Sequence, residues 1–250
     1  MQDEPAKCSR SNNISRALSK EQERKAVEFL EYSFQDIDSS FKKRCAIIGV
    51  RASCYIPTAS SSSEPSLTKL PTLSTYLDAM QHLLAFILQI PPIDPSTSLR
   101  TAFLLRLTND VMNSVPGYPP EMDDLQQLLD FLDDLDEAWL AVLNSQVWDP
   151  SSGAGVDLVI PIDMIEPNRP IRSTPVSQTE RTRLHSLLVT GTAGLEEWVS
   201  QLQTLGEDYQ LALERAGFME GFDDLFSKTL AEMGGLSEPS IDPAGMKGTC

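Results

Sequence analysis

The sequence predicts an all-α protein: an irregular or orthogonal bundle of about six helices with a mobile linker, a long surface connection and a disordered tail. Apolar residues recur at spacings of three and four over most of the chain, and Pro- and Gly-rich breaks separate those runs. The one candidate strand, within Val156 to Ile165, is short and interrupted by proline. At 250 residues, 41% hydrophobic and 22% charged, the chain is long and apolar enough to bury a core.

Ser19 followed by Gln22 has the form of a capping box, so helix 1 is expected over roughly 20 to 53. Val27, Leu30, Phe34, Ile37, Phe41, Cys45 and Ile48 then form one narrow apolar stripe. Two uses compete for it: packing within its own bundle, or a coiled-coil seam for another chain. Residues 56–71 hold a Ser run between prolines, with too little apolar content to offset chain entropy, and are expected to be a mobile linker. Helix 2 follows on Leu73, Tyr76, Leu77, Met80, Leu83, Leu84, Ile87 and Leu88 until Pro91 and Pro92 stop it.

Pro95 and Ser96 open helix 3, whose Leu99, Ala102, Phe103, Leu104, Leu105, Leu107 and Val111 leave little polar face, as expected of a central helix. PGYPP at 116–120 breaks it. Helix 4 spans Glu121 to Trp148, with an apolar arc from Leu125 to Leu143 that includes Trp139. At 100° per residue Asp123, Asp130, Asp134 and Glu137 share a stripe opposite that arc, while Asp124 and Asp136 flank or enter its edges. Residues 149–175 read as a connection along the bundle surface, anchored by Val159, Ile160, Ile162 and Ile165.

Ser177 with Glu180 is a second capping box, opening a helix through Leu184, Leu188, Leu195, Trp198, Leu202 and Leu205 that Gly191 and Gly194 would bend. Tyr209 to Ala216 suggests a further turn or two before Gly217. A last amphipathic helix is expected from Phe218 to Met233, either docked on its own bundle or inserted in a partner's groove. The resulting division is a flexible tail at 1–18, a helical domain at 19–233 and a disordered tail at 234–250. No internal repeat of fixed period appears.

The charge is uneven. From 107 to 168 there is no Lys, Arg or His, yet that stretch carries 13 of the 36 Asp and Glu in a chain of net charge −16. Such a field disfavours nucleic-acid phosphates and anionic lipid and favours a cationic partner. The basic groups that do occur, Lys42, Lys43, Arg44 and Arg51, then Arg169, Arg172, Arg181 and Arg183, are sparse, so no direct nucleic-acid binding is expected. The second group surrounds Ser173, Thr174 and Pro175, which makes Thr174 a candidate proline-directed phosphosite.

No membrane span is expected, because the most apolar stretch, His82 to Ile90, is far short of the roughly 20 residues a bilayer requires. Cys8, Cys45, Cys54 and Cys250 form no CxxC pair, and acidic Asp3 and Glu4 without an apolar run argue against a secretory signal. An intracellular location, nucleus or cytoplasm, follows as the expectation.

Catalytic chemistry finds little support. The histidines, His82 and His185, lie near no GxSxG elbow, and GTAG at 191–194 lacks the lysine of a P-loop. The DFLDDLDE run at 130–137 spreads its carboxylates too widely around a helix to converge on a cation. The expected protein is therefore a non-catalytic adaptor or scaffold subunit without cofactor or metal, binding protein partners through amphipathic helices. Phe34, Ile37, Phe41, Phe222, Leu225 and Phe226 are its candidate contacts, and Asp123, Asp130, Asp134 and Glu137 a candidate acidic face. The alternative is an acidic chaperone or escort for a basic client such as a ribosomal protein or histone. Against both stands the reading of that acidic face as a merely solvated one.

Overall fold

Helix α1 (Lys20–Ile48) opens as its capping box predicts: the Ser19 amide donates to Gln22 Oε1 at 2.9 Å and the Gln22 amide to Ser19 Oγ at 3.3 Å. The structure is a computed structural model that describes residues 16–48, 69–159, 172–202 and 208–234. Most of the expected linker and both expected tails lie outside these residues, as do positions 49–53 of the expected first helix.

Where the end of the linker enters the described chain it is held. Lys69 pairs with Asp36 at 3.0 Å, Leu70 is buried, and the Pro71 carbonyl accepts from Arg44 at 3.1 Å. Helix α2 (Leu73–Leu88) begins with a capping box made by Thr72 and Thr75, two threonines in place of the commoner Ser and Glu. It buries the eight apolar positions read from its periodicity.

Helix α3 (Ser96–Ser114) is central, packing against α1, α2, helix α4 (Met122–Leu143) and helix α5 (Gln178–Val199). A single 3-10 turn, Val115–Gly117, ends it at the PGYPP break. Two buried tryptophans tie the layers together through their indole N–H groups, Trp139 donating to Thr108 Oγ1 at 2.9 Å and Trp198 to the Tyr118 carbonyl at 2.7 Å. Asp123 and Asp124 in the first turn of α4 complement its N-terminal dipole.

Four findings depart from the expected architecture. A two-stranded antiparallel hairpin, β1 (Val147–Asp149) with β2 (Ala154–Val156), opens the stretch expected to be a plain connection, and α4 ends five residues early to make room for it. Val159, an expected anchor of that connection, is 82% exposed, and Ile160, Ile162 and Ile165 lie outside the described residues. Helix α5 ends at Val199, before the expected Leu202, and is continuous through Gly191, whose missing side chain admits Met112: a Cβ there would stand 2.6 Å from the Met112 sulfur.

The fourth departure is at the C-terminus. Helix α6 (Tyr209–Ala216) ends on Gly217 at φ 78°, but the expected single helix from 218 to 233 is two, α7 (Met219–Asp223) and α8 (Ser227–Gly234). The break falls at Phe226, which adopts a left-handed φ of 56°. That conformation costs about 1–2 kcal/mol for a residue with a side chain. It is offset by burial, since both Phe222 and Phe226 enter the core and α8 turns to lie on α4.

Candidate functional site

The expected contact stripe of α1 faces inward. Phe34 is fully buried, stacked on Phe103 with ring centroids 6.1 Å apart and capped by the Arg106 guanidinium at 4.4 Å. Phe41 joins Tyr76 and Tyr118 in a triangle of rings and presses on Gly117, where a Cβ would lie 2.6 Å from the Phe41 ring. Burial pushes the Tyr118 hydroxyl up to about 12, with Arg44 pulling the other way from its seat over the ring. At the other end of the chain Phe222 and Phe226 are buried, and Leu225 packs partly buried against the same core. In this conformation Phe34, Phe222 and Phe226 serve the protein's own interior.

What α1 leaves outside is a face turned away from that stripe. Phe29 is 48% and Tyr32 71% exposed, one turn apart, and with Ile37 of α1 and Ala79, His82 and Leu83 of α2 they line an open cleft of about 250 Å³. The Phe29 ring leans on Phe86 of α2, centroids 4.6 Å apart, which holds one wall in place. Of the six expected contacts, Ile37 alone lines this cleft. At 100° per residue Phe29 lies about 120° and Tyr32 about 180° from the centre of the α1 stripe, so their signal in the sequence was two large aromatics on the face the stripe leaves to solvent.

One carboxylate, Asp36, lines the cleft, and it is engaged. Asp36 holds Lys69, while the nearby acids face other helices, Glu31 meeting Arg106 of α3 at 2.6 Å and Asp78 accepting from Gln127 of α4 at 2.8 Å. His82 is exposed, its Nδ1 2.6 Å from the Asp78 carbonyl one turn back on the same helix.

The expected acidic face of α4 divides in two. Asp123 and Asp130 are exposed, the latter accepting from Gln126 at 2.7 Å. Asp134 accepts from Gln81 of α2 at 2.7 Å, while Glu137 and Asp133 grip Lys228 of α8 at 2.7 and 3.0 Å. The bonds to Glu137, then Asp133, hold the Lys228 ammonium above its usual value. Asp136, on the edge of the apolar arc, is buried and accepts from the Thr229 amide at 3.0 Å. Burial raises its carboxyl above the ordinary range, and the bonds from Thr229 oppose that rise.

Thr174 is exposed and clasps Asp94, its hydroxyl donating at 2.6 Å and its amide at 3.1 Å, while the Asp94 amide donates to the Arg172 carbonyl at 2.9 Å. The Thr174 hydroxyl, ahead of its amide and the Arg172 charge, holds the Asp94 carboxyl below the usual range. Of the surrounding basic group, Arg172 and Arg183 are exposed, Arg181 donates to the Val176 carbonyl, and Arg169 lies outside the described residues. In the first basic group Arg44 is buried and Lys42 pairs with Asp38 at 2.9 Å, which leaves Lys43 as its solvent-facing remainder within the described chain.

Among the described residues no three His, Cys, Asp or Glu side chains are placed to hold a metal ion, and no helix is long and apolar enough to cross a membrane. Comparison of the chain with protein-family models, with curated proteins and with solved structures gave no match.

Proposed function

We propose that the protein is a non-catalytic helical adaptor of an intracellular assembly, and that it engages a protein partner through the flank of α1 bearing Phe29 and Tyr32. The observation that carries this reading is the open cleft between α1 and α2, in which two large aromatic side chains remain in water although the bundle beneath them is fully packed. Aromatic residues on a fixed wall lose little rotamer entropy on association and supply much contact area per residue. A short amphipathic partner helix matches the cleft, its apolar side laid against the rings.

The test is capture of the tagged protein from its native cell at low and at high salt, comparing the wild type with a Phe29→Asp, Tyr32→Asp double variant. A partner set that survives high salt with the wild type and disappears with the variant supports the proposal. Retention of the same set by a folded variant would sink it. Because Tyr32 is largely and Phe29 about half exposed, at the surface of a core they do not fill, the variant should keep its helical circular dichroism.

The escort reading has a narrower base. Asp134 and Glu137 are engaged in bonds between helices, so the exposed pair Asp123 and Asp130 would carry most of the attraction to a basic client. Replacing those two by Lys would remove a salt-sensitive partner under that reading and leave the Phe29 and Tyr32 partner unaffected.

A further inference from the structure

Among the described residues a buried cation lacks a counter-ion. Arg100 of α3 is 1% exposed, and no described Asp or Glu lies within ion-pair distance of it. One of its nitrogens has a clear structural role, since Nη1 donates to the Gln146 carbonyl at 2.6 Å and so closes the turn between α4 and β1. That turn is tight. Ser145 sits at a left-handed φ of 56°, the Gln146 amide donates to Ala141 at 2.7 Å, and Gly155 of the hairpin is pressed against the Gln146 side chain.

The other two nitrogens, Nε and Nη2, are buried and have no hydrogen-bond partner. These two N–H groups lie on one edge of the guanidinium and point in parallel, the fork that takes two oxygens of a carboxylate or phosphate at once. An arginine needed only to cap the Gln146 carbonyl would be replaceable by a group with one donor. Keeping a full guanidinium dehydrated, with its bidentate edge empty, is costly unless that edge has a use. Burial alone pushes the group down to about 10, and it remains charged at neutral pH. One turn earlier on α3, the buried Thr97 hydroxyl is directed at the Asp94 carboxylate and helps hold it below the usual range, so the Arg100 edge stands by itself.

We propose that Arg100 is the recognition group of an internal oxyanion site, binding a small carboxylate or phosphate through its Nε and Nη2 edge. The burial of Arg100 restricts the ligand to a small, separate molecule. A phosphate carried on a nucleic acid or a protein chain would bring bulk that the packing around α3 excludes. Ligand would then lock α3 to the α4–β1 turn, so that occupancy is felt as stability of the bundle.

The test follows the Arg100 Nε–H resonance of the full chain by NMR while sodium phosphate, sodium acetate or sodium chloride is added at constant ionic strength. A saturable shift with phosphate or with acetate, absent with chloride, is the expected result, and the anion that saturates identifies the source. Arg100→Lys keeps the charge and a donor for the Gln146 carbonyl but loses the fork, and is expected to weaken oxyanion binding by about tenfold or more. The proposal is overturned if neither oxyanion moves the wild-type resonance saturably, or if Arg100→Lys binds as well as the wild type. The wild-type titration decides the matter even if the variant does not fold.

Discussion

Thr229 ties α8 to Asp136 of α4 by two bonds, its amide donating to the Asp136 carboxylate at 3.0 Å and its hydroxyl to the Asp136 carbonyl at 3.2 Å. The carboxylate thus satisfies an amide in the first turn of α8 that the helix itself leaves unpaired. Asp136→Ala removes that acceptor inside the core and should cost about 1–3 kcal/mol in urea unfolding.

Asp136→Asn separates the charge from the bond, because the amide oxygen still accepts from Thr229. The raised carboxyl means that the folded state binds its proton more tightly than the unfolded chain. The stability this contributes is complete below the unfolded carboxylate value and is lost as pH rises through the folded one. The Asn variant should therefore gain on the wild type as pH climbs from about 4 toward 7. Parallel unfolding curves at both ends of that range would contradict it.

Thr108 accepts from the Trp139 indole and donates to the Leu104 carbonyl at 2.9 Å, all within the core. Thr108→Val preserves shape but strands the indole N–H, and about 1–3 kcal/mol of stability should be lost. A loss below roughly 0.5 kcal/mol, the size expected of a substitution that strands nothing, would mean that the indole finds another partner.

Gly117 and Phe41 should behave as a coupled pair. A methyl on Gly117 meets the Phe41 ring at 2.6 Å, so Gly117→Ala is expected to destabilise by about 1–3 kcal/mol through overpacking. Combining it with Phe41→Leu should recover part of that loss. A double-mutant cycle with zero coupling would show that the cost of the methyl lies elsewhere.

The Thr174 clasp predicts a titration. With Thr174→Val the Asp94 carboxyl should move up toward its ordinary value, read by carbon NMR of the side chain. Because the folded value is depressed, the stability that the clasp supplies is present above the unfolded carboxylate value and falls away as acid takes the pH down through the lowered one. Phosphate on Thr174 would occupy the oxygen that now donates to Asp94 and bring like charge against it, so the phosphorylated chain should exchange its Thr174 amide faster.

Much of this architecture was written in local patterns. The Ser19–Gln22 and Ser177–Glu180 boxes form as expected because each involves residues three apart, and Asp136 already fell at the edge of the α4 apolar arc. The break at Phe226 had no such signal: GFDDLFS contains no proline, and its one glycine lies before the bend, so only the tertiary demand to bury both phenylalanines turns the chain there. The burial of Arg100 was equally hidden, since an arginine in the second turn of a helix reads as solvent-facing until the α4–β1 turn is placed over it. The candidate contact face suffered from a related ambiguity. An apolar stripe reports that Phe34 is covered, and says nothing of which chain covers it.

Arg44 sits in the last stretch of α1, donating to the Pro71 carbonyl before α2 and, at 2.8 Å, to the Gly117 carbonyl after α3. Three distant points of the chain thereby converge on one side chain, and the Leu18 amide is tied to Ser96 at the opposite end of the helix. The azimuth of α1 is set from its two ends like that of a shaft between bearings, so the direction in which Phe29 and Tyr32 look is inherited from residues that touch neither. Variation at position 44 would then register as blindness of a surface roughly four helical turns away, with every residue of that surface intact.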